Sequence, residues 1–477
     1  MKKRILATIL AGLMLLSSTA CATGGDTTES STEAKTSTVT EEDTAFFPDI
    51  EKNDYNEAVF RIISVQSEGQ WYYAEEYQNE SGNTGVLNNT IYEMNTLVEE
   101  HLNVTLEFQS GGDNIYNTVY PYMMSGDDMY QLCANHAHYD TPSFVTTKTA
   151  LDFYELDALD LDQPYWNRKI METLSINGHA YVGFGDLCYQ NFNVFYCNKD
   201  MLEDVGQAVP YAEVREGKWT LDKLASMTTG LYRDNGDGLR NNLDVYGYAG
   251  TWNSVGSGML QAADIFVLTK NSDDEFELSL YGDRLVEMYD KLYRWTQDES
   301  TWVWAFAAPA EKVTNFKAGQ GYFTGGSLNT EYLDSDIRVG ILPLPKYDEA
   351  QENYRHVNWG NNLVVPTTIR DREMVGEVME LMAFYSSTMV LEKYYDEVLQ
   401  LRVSEAPDDR DMVVLVYDTA VFDPAITFSD GNTQLWNLIH ITYGCVLDNN
   451  ANIASYYQKN AKGAEKWLDG LMKKLNK

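Results

Sequence analysis

The chain has 477 residues, of which 44% are hydrophobic and 13% aromatic. This composition is typical of a globular protein, and the length is sufficient for two domains. The formal net charge of −37 excludes binding to nucleic acid or to anionic lipid headgroups by counterion release, and it favours neutral ligands over anionic ones.

Residues 1–20 have the pattern of a bacterial lipoprotein signal peptide. A basic segment at 2–4 precedes an apolar run at 5–16, and small residues follow as far as Cys21. This pattern predicts cleavage before Cys21 and a diacylglyceryl anchor on its sulfur, which places the protein outside the cytoplasm and attached to the cell membrane. Cleavage as an ordinary secretory signal, at Ala20 or Ala22, is the alternative.

Residues 21–50 are predicted to form a disordered tether behind the lipid anchor. From Ala22 to Asp43 the segment consists almost entirely of small, polar and acidic residues, and Val39 is its only branched aliphatic residue. Such a composition buries too little apolar surface to offset the entropy that is lost on ordering. The tether would hold a folded body away from the membrane.

The folded body begins with alternating predicted strands and helices. In chain order these elements are strand 58–65, helix 88–102, strand 103–108, helix 115–124 and strand 130–134. This alternation is typical of a parallel sheet with crossover helices. Ligands collect at the carboxyl ends of such strands, so Asn135 and His136, which follow the third strand, are candidate ligand-binding residues.

A second alternation of strands and helices follows, and helices predominate after residue 371. The predicted elements are strand 193–197, a helix from Thr220, strand 244–249, helix 285–295, strand 339–345, and helices 374–385 and 461–475. Taken together, the two alternations predict an α/β protein.

Neither the cysteines nor any known catalytic motif in the sequence indicates an enzyme. Apart from Cys21, the cysteines are widely spaced, at Cys133, Cys188, Cys197 and Cys445. They form neither a disulfide framework nor a zinc motif, and both a Cys188–Cys197 disulfide and four reduced, buried thiols remain open. The sequence contains no metalloprotease, serine-hydrolase or P-loop motif. No catalytic residue is therefore predicted.

The segment from Arg233 to Asp244 is close to a calcium-binding loop. With Gly238 at the sixth position, the oxygen ligands would be Asn235, Asp237, the Leu239 carbonyl, Asn241 and Asp244. Arg233 stands at the first position, where it cannot bind a cation, and Asp234 is one place out of register. The alternative is a tight turn built on Asn-Gly and Asp-Gly. A structural calcium ion is thus the only candidate cofactor, and none is expected to be required.

Several segments together resemble the extracellular solute-binding proteins of ABC importers, in the carbohydrate group that includes maltose-binding protein. The segments that carry this resemblance are 177–181 with 195–201, Lys218–Leu224, 235–238 with 244–247, Phe316–Gly326 and Val339–Lys346. Gln320-Gly321-Tyr322 departs mildly from the family pattern, which has a small or apolar pair there. These segments have the order and spacing of the family, and together they extend over most of the folded body.

The resemblance implies a two-lobed, type II periplasmic-binding-protein-like fold in which each lobe is discontinuous. The first lobe would comprise 56–188 and 340–395, and the second lobe 193–337 and 398–477. The three crossings between lobes would lie near 185–193, 338–343 and 391–401. Closure of the two lobes about such hinges traps a ligand between them.

The resemblance also implies a sugar site built from aromatic and amide side chains, because sugar faces stack on aromatic rings. Asn135 and His136 belong to it, and the further candidates are Trp71, Tyr72, Tyr189, Gln190, Trp252, Asn253, Trp359, Asn361 and Trp436. Trp302 and Trp304, flanked by Val and Ala, are predicted to pack in the core or on the surface instead.

The function implied is capture of a carbohydrate, most simply an oligosaccharide, by a monomeric protein without catalytic activity. The protein would deliver its ligand to the transmembrane subunits of an ABC permease and would touch the membrane only through its lipid. Two alternatives remain: a binder of a peptide or a sugar acid with the same fold, and a tethered glycan-active enzyme.

Overall fold

The computed structural model describes most of the chain beyond the predicted tether. The described residues are 47–50, 52–65, 86–112, 114–136, 138–188, 190–251, 256–304, 315–329, 332–333, 336–399, 406–429 and 432–475. No helix among them is long and apolar enough to cross a membrane. The predicted signal peptide, lipid anchor and most of the tether lie outside these residues, as do the site candidates Trp71, Tyr72, Tyr189, Trp252 and Asn253.

Strands and helices alternate through the described part of the chain. The strands are β1 (Ala58–Ser64), β2 (Val104–Ser110), β3 (Leu132–His136), β4 (Asn193–Asn198), β5 (Tyr246–Thr251), β6 (Leu268–Lys270), β7 (Phe276–Leu278), β8 (Thr301–Trp304), β9 (Gly321–Ser327), β10 (Val339–Leu342), β11 (His356–Val357), β12 (Asn361–Val364) and β13 (Ala420–Val421).

The α-helices follow the same chain order. They are α1 (Val86–Leu102), α2 (Tyr116–Ser125), α3 (Thr141–Thr146), α4 (Arg168–Leu174), α5 (Lys199–Asp204), α6 (Tyr211–Arg215), α7 (Leu221–Thr228), α8 (Ser257–Ala262), α9 (Asp283–Thr296), α10 (Arg372–Tyr385), α11 (Pro407–Asp418), α12 (Pro424–Phe428), α13 (Thr433–Ile439), α14 (Ile441–Leu447) and α15 (Ile453–Leu475). A short 3₁₀ helix spans Phe153–Glu155.

The first sheet has the strand order β12-β3-β1-β2. Strand β1 is parallel to β2 and β3, and β12 is antiparallel to β3. Helices α1 and α2 connect the parallel strands, which confirms the predicted alternation. In α1 the fully buried side chains of Ile91, Met94 and Val98 recur on one face, and this spacing predicts the helix from sequence. This sheet and the helices packed on it form the first lobe.

The second sheet has the strand order β10-β4-β9-β5-β8. All residues of β4 are buried, and a strand covered on both faces is a continuous apolar run in the sequence. Helix α7 begins after Thr220, whose hydroxyl accepts a hydrogen bond from the Lys223 backbone N–H at 3.2 Å. This cap is the reason that the helix starts where the sequence predicts. The second sheet and its helices form the second lobe.

Strand β10 lies in the second sheet. It pairs antiparallel with β4 from Val339–Asn198 to Leu342–Phe195, whereas the sequence interpretation puts a crossing near 338–343 and assigns residue 340 onwards to the first lobe. The first sheet is rejoined only at Asn361, where β12 begins. A short apolar strand carries no local signal for its partner, so its sheet could not be identified from the sequence.

Three extended segments run side by side between the two sheets. Phe192 forms a β-bridge with Asn358, and β11 pairs in parallel with β13. The backbone N–H of Trp359 also donates to the carbonyl of Asn191 at 2.9 Å. These segments form the hinge region and hold Trp359 between the lobes.

The predicted crossing near 391–401 is helical as far as it is described. After α10 the chain continues through a π-helical turn at Ser386–Val390, a helical turn at Leu391–Lys393 and a second π-helical turn at Tyr394–Val398. Residues 400–405 lie outside the described part. Helix α10 is tied to the first lobe by Glu380, which accepts hydrogen bonds from Tyr165 and Trp166 at 2.5 and 2.7 Å.

The four cysteines of the folded body are buried free thiols. Cys133 lies in β3 and Cys197 in β4, while Cys188 and Cys445 lie outside the strands. Cys188 and Cys197 are therefore not paired, and the structure favours the reduced alternative. Burial raises the pKa of the thiols of Cys133, Cys197 and Cys445, so these thiols are inert at neutral pH.

Candidate functional site

The carboxyl end of β3 brings together three of the residues predicted for the site. In the antiparallel pairing of β3 with β12, Asn361 lies opposite His136, and Asn362 lies opposite Asn135. All four are buried, and Asn135, Asn361 and Asn362 are 0% exposed. A row of amides at the end of a central strand is unusual for a core position. It indicates a polar site at this edge of the first sheet.

The second lobe contributes two rings from one turn of helix. Asn432 caps the start of helix α13: its side-chain oxygen accepts from the Leu435 backbone N–H at 2.9 Å. This cap sets the position of Trp436, and His440 lies one helical turn later. The ring centroids of Trp436 and His440 are 4.4 Å apart in an edge-to-face arrangement. Both rings face the hinge, because the His440 ring also stacks on Trp359 at 5.8 Å.

His138 connects the rings of the first lobe with those of the second. Its ring lies 4.2 Å from His136, 5.1 Å from Trp436 and 6.1 Å from Trp359, measured between centroids. We call His136, His138, Trp359, Trp436 and His440 the aromatic cluster. It spans both lobes and the hinge, with the Asn135, Asn361 and Asn362 amides next to it.

His138 and His440 were not among the site residues predicted from the sequence. His138 stands two residues after β3, where the same strand-end argument that selects His136 would have found it. His440 lies four residues after Trp436, so both occupy the same face of the helix. A lone histidine, however, carries no local signal that separates a binding role from a core role.

The histidines of the cluster are uncharged at neutral pH. Burial lowers the pKa of His138 to about 4. It also lowers the pKa of His440 to about 3, and the neighbouring His138 makes a smaller contribution to this second shift. Burial, with a further contribution from His138, also holds the pKa of His136 well below its ordinary value. Neutral imidazoles offer one donor and one acceptor each and no charge. The cluster can therefore recognise hydroxyl groups without attracting anions.

Several buried polar atoms beside the cluster have no hydrogen-bond partner among the described residues. Both amide atoms of Asn135 are unpaired, as are Nδ1 of His138 and Nε1 of Trp359. The same is true of Oδ1 of Asn361 and Nδ2 of Asn362. Buried polar groups in folded proteins are nearly always paired. A group of unpaired donors and acceptors in one place therefore indicates where a polar ligand would bind.

Gln190 and Trp302 lie elsewhere. Gln190 is buried in the hinge region, one residue before Asn191, and no described contact joins it to the cluster. Trp302 packs on Tyr246 at 5.4 Å between centroids, with the Arg240 guanidinium 5.3 Å from its ring. The side chain of Trp304 lies outside the described residues.

The predicted calcium loop folds around its own backbone. One carboxylate oxygen each from Asp234, Asp237 and Asp244 lies within 4.8 Å of the others, so Asp234, the residue out of register, belongs to the acidic group. The side-chain oxygens of Asn235 and Asn241 instead accept backbone N–H groups two residues ahead, at 3.0 and 2.8 Å. The carbonyl of Leu239 accepts from the Asn241 amide at 3.1 Å.

Asp244 is the buried member of this loop. Its carboxylate accepts the backbone N–H groups of Asn235 and Asn241 and the hydroxyl of Tyr232, each at 3.0 Å. Burial opposes ionisation, but these hydrogen bonds prevail and hold the pKa of Asp244 below its ordinary value. The carboxylate thus organises the loop, and calcium binding stays a prediction.

Comparison with known proteins identifies the fold. No protein-family model and no curated protein matches the chain in sequence. Among solved structures, a solute-binding protein of an ABC transporter from Thermotoga lettingae, bound to α-D-tagatose, is 16% identical with a TM-score of 0.56. The match covers 86% of this chain and 100% of that chain.

Two further solved structures match over a similar extent. The ABC substrate-binding protein Lmo0181 from Listeria monocytogenes, in complex with cycloalternan, is 15% identical with a TM-score of 0.54, covering 88% of this chain and 100% of that one. The sugar-binding protein MalE from Xanthomonas citri is 12% identical with a TM-score of 0.59, covering 87% and 98%. The chain therefore has the two-lobed fold of the solute-binding proteins of ABC transporters.

Proposed function

We propose that this protein captures a neutral oligosaccharide between its two lobes and delivers it to an ABC importer, without catalysis. The observation that carries the proposal is the aromatic cluster, in which rings from both lobes meet beside unpaired, buried amides. Indole and imidazole faces match the C–H-rich faces of a pyranose ring, and the amides can bond its hydroxyls. The fold is that of proteins whose solved structures contain sugars.

The charge of the site favours a neutral sugar over a sugar acid. The cluster histidines are neutral, since burial lowers the pKa of His138 and His440, and the whole chain carries a formal charge of −37. An anionic ligand would enter against this field without a fixed positive charge from the cluster.

The proposal includes the location and the partners of the protein. Lipidation at Cys21 would keep the monomer at the outer face of the cell membrane, and the tether at 21–50 would let it reorient against the transmembrane subunits of the permease. The hinge segments would allow the lobes to separate for ligand entry and release. We place the second crossing at 343–361, because β10 pairs within the second sheet and β12 within the first.

Binding to a defined panel of ligands tests this function. Calorimetric titration and thermal shift would be measured with maltotetraose, mannotriose, an oligogalacturonate and a tetrapeptide. We expect one of the neutral oligosaccharides to bind and to raise the melting temperature, since a ligand that binds only the folded state stabilises it. Stabilisation by the peptide or the oligogalacturonate alone would reject the neutral-sugar proposal in favour of the alternative binder.

Product analysis separates binding from hydrolysis. After prolonged incubation of each oligosaccharide with the protein, we expect chromatography to recover it intact. Formation of shorter products that depends on the protein would support the glycan-active enzyme instead. Mass spectrometry of the membrane fraction from expressing bacteria, with a Cys21→Ala control, tests the lipid anchor.

A further inference from the structure

The β6–β7 hairpin is fixed to the second lobe at its base. The backbone N–H groups of Val267 and Leu268 donate to the buried carboxylate of Asp423 at 2.7 and 3.2 Å. At the other end of the hairpin, Phe276, which pairs with Lys270, packs on Phe428 of the second lobe with ring centroids 5.0 Å apart. Asp423 lies two residues after β13, so its carboxylate ties the base of the hairpin to the end of the hinge segment.

The tip of this hairpin reaches across to the first lobe. The Lys270 ammonium donates to the carbonyl of Glu172 and to the hydroxyl of Ser175, both at 2.7 Å. It also pairs with Asp274 at 2.8 Å. The second oxygen of Asp274 accepts the backbone N–H of Gly178 at 2.9 Å. Two side chains of the second lobe thus bind three positions of the first lobe.

The first-lobe side of this contact has hydrogen bonds of its own. The Glu172 carbonyl, in the last turn of α4, also accepts from the backbone N–H of Ser175 at 3.3 Å and from its hydroxyl at 2.8 Å. Asn177 and Gly178 form a tight turn with φ of 52° and 78°, closed by two backbone hydrogen bonds of 3.0 Å between Ile176 and His179. Both partners of the hairpin tip are therefore held in place before the contact forms.

Next to the tip, α4 contacts α12 of the second lobe but is separated from the hairpin. A cavity of about 700 Å³ separates α4 from the hairpin and the hinge strand β13. Ile170 lines it from the first lobe, Phe266 from the second, and Val421 and Phe422 from the hinge. The tip contact can consequently break without opening the core of either lobe.

We infer that Lys270 and Asp274, with residues 172–178, form a latch that stabilises the arrangement of lobes in which the aromatic cluster is assembled. Lys270 and Asp274 are then positioning residues: they set the affinity for the ligand without touching it. The coupling follows from the connections described, since the hinge segment before Asp423 leads on through α12 to α13 and Trp436. Anything that binds one arrangement better shifts the population toward it. This inference rests on the proposed sugar-binding function.

The latch is tested with Lys270→Met and Asp274→Asn, using Lys291→Met as a matched control. Lys291 pairs with Asp222 at 2.7 Å within the second lobe, and its side chain is 26% exposed, against 21% for Lys270. With whichever of maltotetraose and mannotriose binds the unmodified protein, we expect Kd to rise about 3- to 10-fold in each latch variant. The control should leave Kd within about 1.5-fold, and Lys270→Arg should restore part of the affinity.

A readout without ligand separates failure of the latch from failure of the proposed function. Small-angle scattering of the ligand-free proteins should give a larger radius of gyration for Lys270→Met and Asp274→Asn than for Lys291→Met. If neither sugar binds but the radius changes, the function is wrong and the latch stands. Unchanged radii, or latch variants that bind the sugar as tightly as the control or more tightly, would overturn the latch.

Discussion

The edge of the first sheet and the loop at 233–244 are both rich in amide and carboxylate oxygens, yet they use them in opposite ways. In the loop, the carboxylate of Asp244 accepts three hydrogen bonds of 3.0 Å from the chain itself. At the sheet edge, neither amide atom of Asn135 has a partner among the described residues, although the side chain is fully buried. The polar atoms of the loop form hydrogen bonds within the protein, whereas those of the sheet edge remain available for a ligand.

This difference gives a physical criterion for choosing between two polar segments. A buried polar group without a partner costs about 1–3 kcal/mol, whereas a satisfied one stabilises the fold modestly. Substitutions in the loop should therefore reduce stability, and substitutions at the sheet edge should reduce binding. Four experiments test this distinction.

Removing the central ring of the cluster should have the largest effect. Trp436→Ala deletes a half-buried indole that contacts His138, Trp359 and His440, so the stacking surface for a sugar is lost. We expect Kd for the bound oligosaccharide to rise about 10- to 100-fold, as for loss of 1–3 kcal/mol of aromatic contact. Calorimetric titration measures the change.

Trp302→Phe is the matched control for this ring. Trp302 packs on Tyr246 outside the cluster, and its substitution should leave Kd unchanged. Equal loss of affinity in both variants would mean that the aromatic cluster is not the binding site.

Asp244→Asn tests whether the polar atoms of the loop at 233–244 stabilise the fold. The amide keeps the size of the carboxylate but cannot accept all three donors, so we expect the free energy of unfolding to fall by about 1–3 kcal/mol at pH 7. Because the pKa of Asp244 is lowered in the folded state, its stabilisation is present above the ordinary pKa and is lost as pH falls through the folded value. Denaturation at pH 7 and pH 3 should show a smaller difference from the unmodified protein at the lower pH.

Sugar affinity is the second measurement on Asp244→Asn. It should be unchanged at pH 7, because the loop is not part of the aromatic cluster. A variant that unfolds normally but binds sugar poorly would assign the loop to the binding site and reverse the comparison.

Asn135→Leu should separate binding from stability at the sheet edge. Leucine has nearly the shape of asparagine but no polar atoms, so it removes the cost of the unpaired amide. We expect the free energy of unfolding to rise by about 1 kcal/mol while sugar affinity falls several-fold. Denaturant unfolding and calorimetric titration on the same preparation check both halves. A less stable variant with full affinity would show that the Asn135 amide serves the fold.

The fold was predictable where a local pattern fixes an element. The strand β1 and the helix α1 follow from β-branched runs and from apolar residues on one helical face. The strand that pairs with β10 was not predictable, because a strand of four apolar residues fits either sheet. Sheet membership depends on contacts between distant segments, and these leave no mark within the strand itself.

The candidate site was predictable in its strand-end and aromatic residues but not in its histidines. Asn135 and His136 were selected by the strand-end argument, and Trp359, Asn361 and Trp436 were implied by the resemblance. The five residues meet where the first sheet faces α13. His138 and His440 gain their significance only from the rings that surround them. Within the loop, the backbone turns at Gly236 and Gly238, with φ of 107° and 73°, bring Asp234 into the acidic group against the register of the sequence motif.

Calcium should have the smallest effect, because the oxygens of the loop already accept hydrogen bonds that an ion would have to replace. Replacing these hydrogen bonds would raise the dissociation constant above the roughly 1 mM of weak calcium sites, so 10 mM calcium would stabilise the protein by less than about 1.4 kcal/mol. Thermal unfolding with 10 mM calcium, with 10 mM magnesium and with chelator measures this shift, and Asp237→Asn, which removes an exposed member of the acidic group, should abolish it. An equal rise with magnesium, or a rise that survives Asp237→Asn, would assign the effect to general screening of the −37 charge. A calcium-specific rise lost in Asp237→Asn would mean that the loop's self-satisfied oxygens can still exchange their hydrogen bonds for a cation, and the contrast with the sheet edge would then be one of degree.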